Sequence, residues 1–287
     1  MKVRGGTESL VSIMRRHPFL LYFLLTYMIA WIGCLVVIVP KLLGGQEITF
    51  LDLGLMAVPM FFTPAIIGVL LTYLFDGERG LKELSSRMRN WRVGPKWYLP
   101  IFIFPVMILL VLAVLNILVS PEFAPYVFLP GIMIGVLAGY FEEVGWTGFA
   151  FPRMMQTYGV LASTLIVGLL QTIWHLAPDL LGTYDSRGVY WLPHFGFFIV
   201  SMCAMRVILV WVYLNTGSLL MAQLTHIAST GSLSLLVPLS LTPAQDTLFY
   251  LAYGVALWFV AGMILLLHGN ELRKGIPISD RNASVFR

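Results

Sequence analysis

The chain has 287 residues, of which 59% are hydrophobic and 11% charged, and its mean hydropathy is +0.86. Soluble domains carry about 25% charged residues, so this composition excludes a soluble globular protein and describes a polytopic membrane protein whose main solvent is lipid. The sequence pI near 9.1 accordingly reports topology rather than a nucleic-acid partner.

A spanning helix needs ~20 predominantly apolar residues. In chain order, eight segments qualify: Phe19–Val39, Leu53–Phe75, Leu99–Val119, Leu129–Phe151, Val160–Leu180, Phe195–Leu214, Ser218–Leu236 and Leu248–Leu267. The first lacks a small-residue cleavage site and is long for a signal-peptide core, so it reads as a retained helix. Between the second and third lies a different object, residues 78–92. Leu81, Leu84, Met88 and Trp91 recur there at helical spacing, interleaved with Arg79, Lys82, Arg87, Arg89 and Arg92. It reads as a basic amphipathic helix on the inner leaflet, a topology anchor with Trp91 and Trp97 near the headgroups. No repeat and no separate soluble domain is visible. The expectation is one all-α membrane domain over residues 1–287, with a motif-bearing core at about 129–236. Cys34 and Cys203 are isolated within apolar runs and suggest neither a disulfide framework nor a metal site.

Placing the N-terminus inside puts fifteen Lys and Arg on inner segments, from Lys2, Arg4, Arg15 and Arg16 through to Lys274, Arg281 and Arg287, and two, Lys41 and Arg187, on outer loops. That asymmetry predicts both termini in the cytoplasm. The eighteenth, Arg206, lies within a helix and by itself reads as a structural or snorkelling charge.

The fourth segment holds two adjacent carboxylates, Glu142 and Glu143, in "GYFEEVGWTGFAFPR". A charge at a helix centre costs ~2.5–3.5 kcal/mol on the insertion scale, and intramembrane carboxylates mark functional sites by default. Further polar groups follow at helical spacing: Gln171 and His175 are i, i+4, as are His226 and Thr230, with Gln223 one turn earlier. Adjacent glutamates diverge by about 100° around a helix, so one serves as the chemical group and its neighbour supports or orients it. With a turn near Tyr158–Gly159, Glu143 and His175 fall at matching heights and could meet across the hairpin. His226 would then sit lower unless the fourth helix is broken near Gly145–Gly148 or Pro152, or turns in plane over 153–158.

Two carboxylates and two histidines suit peptide hydrolysis, which needs an activated water and donors for an oxyanion. A Zn²⁺ site could use the same side chains, but the H-E-x-x-H spacing is absent. No serine nucleophile motif is apparent. Tyr184–Asp185 is a "YD" pair without a second intramembrane aspartate, so serine and aspartyl mechanisms fit poorly. Polar groups in helices can also be packing glue or a proton-coupled transport path.

The run "EEVGWTGFAFPR" (Glu142 to Arg153), followed by "QTIWH" ending at His175 and "HIAST" from His226 to Thr230, resembles the three motifs of the CPBP family, the CAAX protease and bacteriocin-processing (Abi) membrane proteins related to type II CAAX prenyl endopeptidases. Against the family pattern EExxxR, FxxxH and HxxxN, Thr147 stands in place of the arginine, Gln171 in place of the aromatic and Thr230 in place of the asparagine; the first change removes a charge that could hold Glu143, for which Arg206 or Arg153 could substitute. The resemblance implies eight transmembrane helices around a membrane-embedded polar cavity. It implies Glu142 as the base that activates water, His175 as the group positioning that water, and His226 with Thr230 as the oxyanion hole. It further implies an intramembrane endopeptidase of a prokaryotic plasma membrane acting on a membrane-anchored or prenylated protein or peptide, with CAAX-type C-terminal processing as one form. No cofactor is implied, with Zn²⁺ the alternative. The competing function is a catalytically silent scaffold or transport-like protein that keeps the fold.

Overall fold

The computed structural model describes residues 17–273, without the side chains of Phe50 and of 183–185. Lys2, Arg4, Arg15, Arg16, Lys274, Arg281 and Arg287 from the charge count, and the Tyr184–Asp185 side chains, therefore lie outside the described residues. Among the described residues all regular structure is helical: α1 (Pro18–Leu43), α2 (Phe50–Arg89), α3 (Ile103–Leu118, entered through a 3₁₀ stretch Pro95–Phe102), α4 (Pro130–Leu137), α5 (Glu143–Gly145), α6 (Phe151–Tyr158), α7 (Val160–Trp174), α8 (Leu176–Arg187), α9 (Trp191–Thr216), α10 (Leu219–Leu236) and α11 (Pro243–His268).

Local chemistry explains the boundaries. Thr49 and Asp52 form a capping box at the start of α2. Thr242 and Gln245 do the same for α11, with Pro243 in the first turn. The Ser218 hydroxyl accepts the Met221 N–H at the start of α10, and Gly217 in the left-handed conformation closes α9.

Among the described residues, seven helices are long and apolar enough to cross a membrane: those spanning Pro18–Leu43, Leu51–Arg89, Pro95–Leu118, Val160–Gly182, Gly188–Thr216, Leu219–Leu236 and Pro243–Glu271. The protein is a polytopic membrane protein. The fourth sequence segment is helical too, but over 130–158 it is broken. Two π-wound stretches, Ala138–Glu142 and Trp146–Ala150, separate α4, α5 and α6; Glu142 ends the first of them and Glu143 opens α5. π-bulges inside helices are frequently found at functional sites.

Residues 78–89 continue α2 beyond a kink at Gly77, whose φ of 64° suits glycine. This basic segment does not lie free on its surroundings. Leu84 is fully buried, and Arg87 donates to the Tyr213 hydroxyl and to the Gly148 carbonyl, which ties the segment to the broken helix and to α9.

Side chains such as Val36, Ile66, Ile117, Val255 and Phe259 are exposed on the outside, where lipid replaces water. The middle of the bundle is α9, whose run Ala204–Val210 is wholly buried. α4 meets α10 through Gly131, Gly135 and Gly139, one every four residues and so on one face. A β-carbon on Gly135 would stand 2.4 Å from the Gly231 Cα, and one on Gly139 2.3 Å from the Ile227 nitrogen. Only backbone fits there, as in small-xxx-small membrane packing. Gly145 likewise admits the Tyr22 hydroxyl and the Pro64 carbonyl. The consequence for the site is direct: Gly139 fixes α4 against Ile227, beside His226, and the glutamates follow one turn later.

Candidate functional site

Glu142, Glu143, Thr147, Gln171 and Arg206 are buried, and His226 is 2% exposed. Six elements contribute to this cluster. The π-wound stretches and α5 carry the glutamates, Trp146 and Thr147. Gln171 comes from α7, Arg206 from α9 and His226 from α10.

The two glutamates have different partners. Glu143 uses both oxygens against a guanidinium: Arg206 Nη1 donates to Oε2 at 2.8 Å and Nη2 to Oε1 at 3.0 Å. The Thr147 hydroxyl also donates to Oε2, and His226 Nδ1 lies 2.7 Å from Oε1. An ionised carboxylate only accepts, so Nδ1 carries a proton, and Nε2 has no hydrogen-bond partner among the described residues. Glu142 has neutral partners. The Trp146 indole N–H and the Gln171 amide both donate to its Oε2, at 3.3 and 3.0 Å, and Oε1 has no hydrogen-bond partner among the described residues. Gln171 joins the two halves, donating to Glu142 and accepting from Arg206 Nη2. The expected divergence of adjacent glutamates is thus realised as a division of partners.

The cross-hairpin contact differs from the expectation drawn from equal heights. Gly159, at φ 77°, makes the turn, but the pair that meets is Glu142 with Gln171, one turn before His175. Glu142 lies 17 positions before Gly159 and Gln171 12 after it. A π turn holds more residues than an α turn, so residue counts overstate height along the broken helix. The same winding, which includes the 145–148 stretch, lets His226 reach Glu143.

His175 ends α7, and its ring packs edge-on against Trp174 and Phe198 at 5.0 and 5.5 Å. It makes no side-chain hydrogen bond among the described residues and lines a cavity of about 240 Å³ with Asp179, Arg187, His194 and Tyr250. Thr230 is half-buried one turn beyond His226, with no hydrogen bond into the cluster. Gln223 donates to the Tyr140 carbonyl at 2.7 Å, bracing α10 against the broken helix. A second cavity, about 670 Å³, reaches the broken helix at Gly148, Pro152 and Arg153.

Four members of the cluster, Trp146, Thr147, Gln171 and Arg206, were not among the site residues expected from sequence. Trp146 stands at i+4 from Glu142, a spacing that could have pointed to its indole N–H. Arg206, read as a structural or snorkelling charge, is instead fully buried against Glu143. Two intramembrane carboxylates require a counter-charge, and that was the signal for it. Among the described residues no group of three His, Cys, Asp or Glu side chains converges in a way that could hold a metal ion.

These features define a polytopic membrane protein whose interior carries an acid–base centre in place of a purely apolar core. The family model described as "Type II CAAX prenyl endopeptidase Rce1-like" matches residues 102–231, which contain every residue of that centre. The curated CAAX prenyl protease 2 of Methanococcus maripaludis is 25% identical over 242 residues, covering 76% of this chain and 84% of the relative. Over these residues the chain is similar to the Rce1-like type II CAAX prenyl endopeptidases, a likeness that supports a protease.

Proposed function

We propose that the protein is an intramembrane endopeptidase in which Glu142 activates the attacking water. The observation that carries this is the asymmetry of the two carboxylates. Glu143 is committed through both oxygens to Arg206 and His226, whereas Glu142 Oε1 is uncommitted and its other partners are neutral. Only Glu142 can exchange a proton without breaking an ion pair. In the reaction, Glu142 takes the water proton as the hydroxide oxygen adds to the peptide carbonyl. The oxyanion accepts from the Thr230 hydroxyl and, with His226 carrying a proton on both ring nitrogens, from Nε2–H. On collapse the C–N bond breaks, and Glu142 returns the proton to the leaving amine. His175 completes the reading as the group that orients the water from the end of α7.

The substrate class we favour is a membrane-anchored or prenylated protein or peptide, in keeping with the name of the Methanococcus relative. The setting is a prokaryotic plasma membrane with both termini cytoplasmic, following the Lys and Arg asymmetry. The mechanism needs no metal or cofactor.

The test is cleavage by the purified protein in detergent or nanodiscs, using matched prenylated and unprenylated peptides. Wild type should cut, with Glu142→Ala slower by ~10²–10⁴-fold. Equal rates for the two proteins would remove Glu142 from the chemistry. No cleavage of any peptide by wild type would favour a silent scaffold or a transport role.

A further inference from the structure

The three departures from the family pattern were Thr147 for arginine, Gln171 for an aromatic and Thr230 for asparagine. Two of them touch the same group. Arg206 Nη1 donates to the Thr147 hydroxyl at 3.0 Å, and Nη2 donates to the Gln171 carbonyl oxygen. The same two nitrogens hold Glu143. A phenyl ring at 171 could not accept that hydrogen bond. An arginine at 147 would bring a second cation to a carboxylate already paired on both oxygens.

We infer that Arg206 is a positioning residue that has taken over, from α9, the charge that the pattern places at position 147, with Thr147 and Gln171 as the partners that make the exchange fit. The geometry supports a relocation rather than a loss. Position 147 is i+4 from Glu143, the spacing at which a side chain on one helix reaches another, and the Thr147 hydroxyl does reach Glu143 Oε2. Arg206 reaches the same oxygen from 63 residues away. Either position therefore addresses the same carboxylate. Arg206 acts through Glu143: it fixes the carboxylate plane, which sets the ring orientation of His226 and holds a proton on Nδ1, so that Nε2 is the nitrogen left to face the oxyanion. Through Gln171 it also fixes the amide that donates to Glu142.

This inference rests on the reading of Glu142 and His226 as catalytic residues, so its test has one readout on activity and one that is independent of it. The variants are Arg206→Leu, Thr147→Arg and the double Thr147→Arg/Arg206→Leu, with Glu143→Gln and Glu143→Gln/Arg206→Leu for a thermal-unfolding cycle. Arg206→Leu should lower kcat on the order of 10²-fold, the cost of a misplaced catalytic group, with KM little changed. Thr147→Arg alone should also lose activity. The double variant should recover at least tenfold over Arg206→Leu, which a merely structural arginine would not allow. If Arg206→Leu fails to accumulate in the membrane, recovery of accumulation in the double variant counts in the same way. In the unfolding cycle, Glu143→Gln and Arg206→Leu should be strongly non-additive. Non-additivity in a protein that cleaves nothing would sink the protease reading and leave the relocated charge standing. Additive effects, or a double variant no better than Arg206→Leu, would overturn the relocation.

Discussion

Two arginine centres in this protein are built from the same parts. In one, Arg206 binds Glu143, which also meets His226. In the other, Arg187 binds Asp179 at 3.0 Å and Asp246 at 2.9 Å, and His194 Nδ1 lies 3.3 Å from Asp246. Their surroundings differ. Arg206 and Glu143 are wholly buried, whereas Arg187, Asp179 and Asp246 keep about a fifth of their side-chain surface exposed (19%, 20% and 20%). Breaking a buried pair strands a charge in a medium that cannot solvate it. A partly exposed pair can be replaced in part by water. The same constellation is therefore high-stakes near the glutamates and tolerant at the edge.

The largest effect should come from the residue outside both ion pairs. Glu142→Ala leaves Arg206–Glu143 and Arg187–Asp246 intact, so the thermal midpoint should move little while cleavage falls by ~10²–10⁴-fold. A large loss of stability with no specific loss of rate would make Glu142 a packing group and erase the distinction between the centres.

One substitution applied to both centres sharpens the comparison. Glu143→Gln leaves Arg206 without its charge partner in a fully buried setting, and the expected cost is about 3–5 kcal/mol of stability. Asp246→Asn leaves Arg187 its contact with Asp179 and access to water, so about 1 kcal/mol or less is expected. Unfolding of both variants in one detergent measures the difference. Equal losses would mean that burial does not set the stakes.

The next effect is steric. Gly139→Ala would place a β-carbon 2.3 Å from the Ile227 nitrogen, and α4 must then move away from α10. Overpacking of this kind costs about 1–3 kcal/mol. Because Gly139 sets the approach of Glu143 to His226, cleavage should suffer more than stability does. Gly196→Ala, whose β-carbon meets nothing within 4 Å, is the control near the outer centre. A loss in Gly139→Ala no greater than in that control would detach the glycine row from the site.

Hydropathy made most of this fold legible. Seven of the eight expected segments lie along long apolar helices, because a lipid solvent demands long unbroken apolar stretches and internally paired backbone. The eighth was legible as helix but not as π-wound, since the winding follows tertiary packing around glycines such as Gly139 and Gly145. In the site, the two glutamates, Gln171 and His226 stood out as polar groups in apolar runs. For the charge that could hold Glu143 the sequence offered Arg206 or Arg153 without choosing between them, because separations of 63 residues are set by how α9 packs, which one sequence does not record. The expected height match was one turn off because counting residues assumes a constant rise, which the π-wound stretches do not keep; a break near Gly145–Gly148 was among the alternatives the sequence offered.

The smallest effect expected is that of a chelator. The strongest candidate ligands near the glutamates are already committed. Both oxygens of Glu143 accept from Arg206, and His226 Nδ1 is held by Glu143. A zinc ion would have to displace a buried guanidinium to reach that carboxylate, and catalytic zinc needs three protein ligands at ~2.0–2.2 Å. The outer centre gives no better set, since Asp246 is bound by Arg187. Exhaustive chelation of the purified protease should therefore leave its cleavage rate within twofold of the untreated rate, with substoichiometric metal by elemental analysis. Stoichiometric zinc, with activity lost on chelation and restored by zinc alone, would mean that Glu143 turns from Arg206 to the metal during turnover. The buried arginine would then be a resting-state lock instead of a fixed support, and the two arginine centres would differ in mobility as well as in burial.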